Sequence, residues 1–130
     1  MEGVKMNRTL TITINQDWRA FLSDASRRAE RGVADGSYQG ERLNFESPAA
    51  FFGQLTELRW NIVRIMLGAG EVGIRELARR LDRDVRRVHQ DTQALVELGI
   101  LEKSEDGSVN CPFTDIHIDM HLTKSLPEAA

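Results

Sequence analysis

The sequence predicts an α+β fold, and three observations predict it. Arg8–Asn15 alternates Leu10, Ile12 and Ile14 with Thr9, Thr11 and Thr13, the period-two, β-branched pattern of a strand. From Pro48 to Leu98 the apolar residues recur at helical spacing, and capping residues and glycines interrupt them. Asp106-Gly107 then follows this helical stretch directly, a strong signal for a β-hairpin turn.

Bulk properties narrow the class. A chain of 130 residues can bury a real core without disulfides or metals. Hydrophobic content of 41% and charged content of 28% are ordinary for a globular protein. The single cysteine, Cys111, excludes a disulfide within the chain, so a reducing cytoplasm is the expected location. The first fifteen residues do not resemble a signal peptide, and no apolar run is long enough to span a bilayer. The net charge of −3 argues against general coating of nucleic acid. Charge is unevenly placed, however. Arg59–Gln90 carries eight arginines against four acids (Glu71, Glu76, Asp82, Asp84), whereas Glu97–Ala130 carries seven acids against two lysines. A local basic patch still attracts phosphate, because charges beyond about 8–10 Å are largely screened.

In chain order, the Arg8–Asn15 strand is followed by a helix opened by Asn15 or Asp17. Its stripe is Trp18, Phe21, Leu22, Ala25 and Ala29, and Gly32 stops it. Val33–Gly40 reads as a loop and Glu41–Glu46 as a second strand, with Leu43 and Phe45 on one face. Ser47-Pro48 starts a short helix carrying Phe51, Phe52 and Leu55. Thr56 caps the next, which runs to about Leu67. Leu58, Ile62, Ile65 and Met66 form one stripe and Trp60, Val63 and Leu67 another, as expected of a central helix.

Ile74, Leu77, Ala78 and Leu81 make a two-turn amphipathic helix with Arg75, Glu76, Arg79 and Arg80 outward. Asp82-Arg83-Asp84 is a turn, and Asp84 caps a helix running to about Leu98 with Val85, Val88, Thr92, Leu95 and Leu98 inward. Gly99 ends that helix. Its outward face carries Arg86, Arg87, His89, Gln90 and Gln93. Arginine can bond guanine O6 and N7 together, and glutamine can bond adenine similarly. These residues cluster at the N-terminal end, which a recognition helix places in the major groove. The hairpin that follows is then a wing, with Lys103, Ser104 and Ser108 facing the phosphate backbone. The α+β class thus sharpens to a winged helix-turn-helix, about 48–125, with an N-terminal strand-helix-strand extension over 1–47 as a candidate for dimerisation.

Residues 73–101, GIRELARRLDRDVRRVHQDTQALVELGIL, resemble winged-helix transcriptional regulators of the multiple-antibiotic-resistance-regulator type. The resemblance is closest to small prokaryotic DNA-binding proteins with the pattern I-R-E-L-A-R-x-L-x-R-D-V-x-x-V-H-x-D-x-x-x-L-x-x-L-G. Arg83, Asp84, Val85, Val88, His89, Asp91, Leu95, Leu98 and Gly99 carry it here. Upstream, Phe45–Pro48 and Leu55–Trp60 match the same pattern, so it covers about residues 8–122. Gly73 departs from the usual serine or threonine cap, and Glu57 from a frequent proline. The resemblance implies a transcriptional regulator, and in some members an antitoxin encoded beside a toxin.

The expectation is a sequence-specific binder of double-stranded DNA, a dimeric repressor rather than an enzyme, with no cofactor. Arg86, Arg87 and Gln90 read base edges, while Arg75, Arg79, Arg83 and the wing hold phosphates. An alternative is an antitoxin that neutralises a cognate toxin by direct contact through its acidic C-terminal third. Asp91 pairs with Arg87 at i−4 on this reading. The strand Arg8–Ile14 is the first candidate for pairing between subunits, and Phe113–Leu122 the second. In that second strand His117, Asp119 and His121 share a face, but they spread along about 13 Å and do not meet one metal ion. Cys111 has no basic neighbour in sequence that would activate its thiol.

Overall fold

The computed structural model describes residues 7–14 and 40–121. The described part is α+β, with a parallel three-stranded sheet, four helices and a β-hairpin. In order the elements are β1 (Thr9–Ile14), β2 (Glu41–Phe45), α1 (Pro48–Gln54), α2 (Glu57–Met66), α3 (Ile74–Leu81), α4 (Val85–Glu97), β3 (Glu102–Lys103), β4 (Val109–Asn110) and β5 (Asp115–Asp119). The helix expected over Trp18–Ala29 and the loop that follows it lie outside the described residues.

The sheet order is β2-β1-β5, with β1 parallel to both neighbours. Parallel neighbours cannot be joined by a tight hairpin. Residues 15–39 connect β1 to β2, and the four helices with the hairpin connect β2 to β5. Leu10 and Ile12 point into the core, and Leu10 lies beside Ile116 and Ile12 beside Ile118. On the other face the Thr13 hydroxyl donates to Asn44 Oδ1 at 2.8 Å, which pins β1 to β2. The strand expected to pair between subunits is therefore the central one. Its side chains are largely buried and both its edges are occupied within the chain, which corrects the expectation that it pairs with a second subunit.

Capping residues set the helix starts. Ser47 Oγ accepts from the Ala50 N–H at 3.0 Å with Pro48 in the first turn, and Thr56 Oγ1 accepts from the Arg59 N–H at 3.3 Å. Phe45 meets Phe51 edge-on, with ring centres 5.5 Å apart, and so joins β2 to α1. Ile62, Val63 and Met66 make the middle of α2 fully buried, as its two stripes predict. Its ends are not covered: Leu58 and Leu67 are exposed, as is Phe52 on α1. One hydrophobic cluster contains Leu10 and Ile12 from the sheet, Phe51 and Ile62 from α1 and α2, Leu77 and Leu95 from α3 and α4, and Val109 from the hairpin. Sheet and helices thus share a core.

Arg8 closes the base of the sheet. It pairs with Glu41 at 2.7 Å, lies 3.8 Å from Glu102, and stacks 5.2 Å from the centre of the Phe113 ring. No helix among the described residues is long and apolar enough to cross a membrane.

Candidate nucleic-acid interface

α3 and α4 are joined by a turn only three residues long, and the backbone of that turn is tightly specified. Asp82 takes the left-handed conformation, φ 53°, which aspartate tolerates better than most residues. Its N–H bonds Arg79 O at 3.2 Å, and the Arg83 N–H bonds Ala78 O at 3.0 Å. That pair of bonds closes the C-terminus of α3. Asp84 then caps α4, its carboxylate accepting from the Arg87 N–H at 3.2 Å. α4 ends the same way at Gly99, φ 85°, with Gly99 N–H on Val96 O and Ile100 N–H on Leu95 O, both at 3.0 Å.

Packing orients the two helices. Leu77 and Ala78 of α3 and Val88, Thr92 and Leu95 of α4 are buried. Arg86, Arg87, His89, Gln90 and Gln93 are all left on the exposed side of α4, and none has a side-chain partner among the described residues. Arg75 of α3 is also exposed, and with Arg86 and His89 it lines one open hollow between the helix starts. Val85 lines the same hollow and is 40% exposed. It was expected to point inward. As the first residue after the cap it lies at the rim of the helix pair rather than over the core.

Arg79 and Arg83, also expected in the site, are engaged within the chain. Arg79 donates to both oxygens of Glu76, at 2.9 and 2.5 Å, and Arg80 Nε donates to Glu76 Oε2 at 2.9 Å. The hydrogen bonds from Arg79 and then Arg80 hold the Glu76 carboxyl down at about 2, and Glu76 in turn raises the Arg79 pKa. Arg83, expected on a phosphate, instead turns inward: its side chain is 17% exposed and Nη2 donates to Asp91 Oδ2 at 2.8 Å. Asp91 was expected to pair with Arg87. It accepts instead from Arg83 and, at 3.1 Å, from Nε of Arg59 on α2. Arg59 also donates to Gln54 O at 2.9 Å. One carboxylate therefore ties α4 to the α3–α4 turn and to α2. Nothing in local spacing pointed to Arg59, which lies 32 residues from Asp91.

In the hairpin, Gly107 N–H bonds Ser104 O at 3.0 Å and Ser104 N–H bonds Ser108 O at 2.8 Å. Gly107 has φ 89°, so the loop is a turn followed by a left-handed glycine, longer than the two-residue turn that Asp-Gly most often makes. Lys103 is exposed, as a surface contact requires. The two serines are otherwise employed. Ser104 Oγ donates to Glu71, and the buried Ser108 donates to Asp106 Oδ1 at 2.7 Å, so neither hydroxyl is presented outward as expected. The bonds from Ser108 hold the Asp106 carboxyl below its ordinary range. The sequence also concealed Val72, which bridges Val109 through two backbone bonds of 2.9 Å and adds a third rung beside the hairpin.

The HVO_A0114 family model matches residues 54–118, half of the chain. The chain belongs to the HVO_A0114 family. The HVO_A0114 match begins at the end of α1 and includes α2, α3, α4, the hairpin and almost all of β5, but not β5's partner strand β1. The Arg59–Asp91–Arg83 cluster and the exposed face of α4 both lie within the HVO_A0114 segment. No curated protein and no solved structure matches the chain. Among the described residues no group of three or more histidine, cysteine, aspartate or glutamate side chains is placed to hold a metal ion.

Proposed function

We propose that the protein binds double-stranded DNA through α4, as a winged helix-turn-helix regulator of transcription with the β3–β4 hairpin as its wing. The observation that carries this reading is the set Arg86, Arg87, His89, Gln90 and Gln93. All are exposed on the first turns of a helix whose opposite face is buried, and none has a side-chain partner among the described residues. Any surface helix carries polar residues on its wet face, but here they are arginines and glutamines gathered toward the N-terminal end, the types that can bond base edges. Arg86, Arg87 and Gln90 are the base-reading residues on this reading. Arg75 and Lys103 supply phosphate contacts from α3 and the hairpin, and Arg79 adds charge that Glu76 partly neutralises.

The Arg59–Asp91–Arg83 cluster supports the reading because it ties α4 to the turn before it and to α2. Arg83 contributes there as a positioning residue rather than as a phosphate ligand. An acidic chain with one basic face suits selective binding, since the remaining surface repels DNA.

The test is selection from a random duplex library followed by fluorescence anisotropy on the enriched sequence. A defined motif should emerge, with affinity falling steeply as salt rises, by about 0.9 in log K per log salt for each phosphate contact. Absence of duplex binding even at low salt would overturn the proposal.

A further inference from the structure

β5 is an edge strand among the described residues, and the segment from Asp115 to His121 is complementary to its own reverse. It reads Asp-Ile-His-Ile-Asp-Met-His. Laid antiparallel on a second copy about a two-fold axis through Ile118, every opposed pair is matched. Ile118 meets the partner's Ile118, His117 meets the partner's Asp119, Ile116 meets the partner's Met120, and Asp115 meets the partner's His121. Apolar side chains oppose apolar ones, and each imidazole opposes a carboxylate to which it can donate.

Other registers match less: those about Ile116 and Met120 keep one kind of imidazole–carboxylate pair, Asp115 with the partner's His117 or Asp119 with the partner's His121, against two about Ile118. An axis through His117 sets Asp115 against the partner's Asp119. An axis through Asp119 sets that carboxylate against itself. An axis between two residues opposes the apolar face of one copy to the polar face of the other, since a one-residue slip exchanges the faces of a strand. Like charges directly opposed are destabilising in a sheet.

The faces agree with the rest of the fold. Ile116 and Ile118 lie beside Leu10 and Ile12 of β1, on the side of the sheet that carries the core. Ile118 is 37% and Met120 43% exposed, although both continue that apolar row. Ile116 also lines an open groove with Phe52, Trp60 and Leu67. The partner's Met120, set opposite Ile116, extends apolar cover toward that groove. The charged side chains lie on the other face, beside Thr9, Thr11 and Thr13.

We infer that two copies of this chain associate through antiparallel β5–β5 pairing centred on Ile118, which makes one continuous sheet in the order β2-β1-β5-β5-β1-β2. The proposal stands without the DNA-binding reading, and its failure leaves that reading intact.

Analytical ultracentrifugation tests it first, and the wild type should sediment at twice the 14.7 kDa chain mass. His117→Asp opposes two carboxylates at both symmetric positions and should weaken the dimer about tenfold or more. The exchange His117→Asp with Asp119→His restores every pair and should restore the dimer. Circular dichroism checks that each variant is folded. Disulfide trapping supplies a readout that does not rely on charge. Ile118→Cys, with Cys111→Ser, should oxidise readily to a covalent dimer, because opposed Cα atoms lie about 4.5–5.5 Å apart. His121→Cys in the same background should not, since the two copies of that position are about 20 Å apart. A monomeric wild type, a folded double exchange that stays monomeric, an unaltered dimer in His117→Asp, or equal cross-linking of the two cysteine variants would overturn the proposal.

Discussion

Arg83 Nη2 lies 2.8 Å from Asp91 Oδ2, so the turn that precedes α4 is held by a carboxylate two helical turns further along it. Both side chains are 17% exposed, and Arg59 occupies the other carboxylate oxygen from α2. A pair so shielded from water is costly to break singly, because the remaining charge keeps its burial and loses its partner.

Asp91→Ala takes the carboxylate from two arginines at once, leaving Arg59 only Gln54 O, and should lower unfolding stability by about 2–4 kcal/mol in urea titrations. Asp91→Asn keeps an acceptor and should lose less. If the cluster orients α4 and α4 binds DNA as proposed, Asp91→Ala also weakens that binding, although Asp91 is paired with Arg59 and Arg83 rather than free on the exposed face. A loss of stability indistinguishable from that of an exposed surface substitution would show that the cluster holds nothing.

Arg86→Ala and Glu76→Ala should move DNA binding in opposite directions. If Arg86 reads a base as proposed, its loss costs about 1–3 kcal/mol and relaxes preference at one position of the enriched site. Removal of Glu76 frees Arg79 and Arg80, so affinity should rise on all duplexes and the salt slope should steepen. The Glu76 carboxyl titrates at about 2 against an ordinary 4.5, so its ion pairs contribute fully above pH 4.5 and fade as pH falls toward 2. A carboxyl NMR titration reads that midpoint directly, and a midpoint near 4.5 would refute the pairing.

Ile12→Ala tests whether the sheet and the helices share one core. Ile12 is fully buried in the cluster that also holds Leu77 and Leu95, and the deletion should cost about 2–5 kcal/mol. Unfolding followed by far-ultraviolet dichroism and by tryptophan fluorescence should shift together. Two separate transitions, or transitions that do not coincide, would mean two separate cores.

Cys111 should react slowly. Burial pushes its thiol pKa up, and the nearby Arg8 guanidinium offsets that only in part. Less thiolate at a given pH means slower attack on a disulfide reagent. Labelling of the native protein should lag far behind labelling in denaturant, and equal rates would count against this environment.

Much of the fold was legible because short-range chemistry carries it. The alternation of Leu10, Ile12 and Ile14 marks β1, and Ser47, Thr56 and Asp84 mark helix starts with hydroxyls or a carboxylate that the structure shows in use. What was illegible depends on pairs far apart in sequence. Arg59 and Asp91 meet because α2 crosses α4, and no periodicity announces a crossing. Glu71 reaches Ser104 across 33 residues in the same way. The exposed face of α4 was read directly, since helical spacing alone separates Arg86, Arg87 and Gln90 from Val88 and Leu95. Which arginines remain unpaired near that face was not, and the structure turns Arg83, expected on a phosphate, toward Asp91.

Gly73→Ser should stabilise the protein, the reverse of most substitutions. Gly73 caps α3 without a side-chain hydrogen bond, and its φ of −71° and ψ of 155° suit any residue. A β-carbon added there would meet nothing within 4 Å. A serine hydroxyl can accept from one of the unpaired N–H groups of the first turn, and replacing glycine also removes freedom from the unfolded chain. The gain should be about 0.5–1 kcal/mol in urea unfolding. Gly73→Ala separates the two causes. It removes the same freedom but supplies no acceptor, and alanine is a poor capping residue, so it should fall short of serine or destabilise. Equal stability of the two variants would show that the hydroxyl makes no cap at the start of α3.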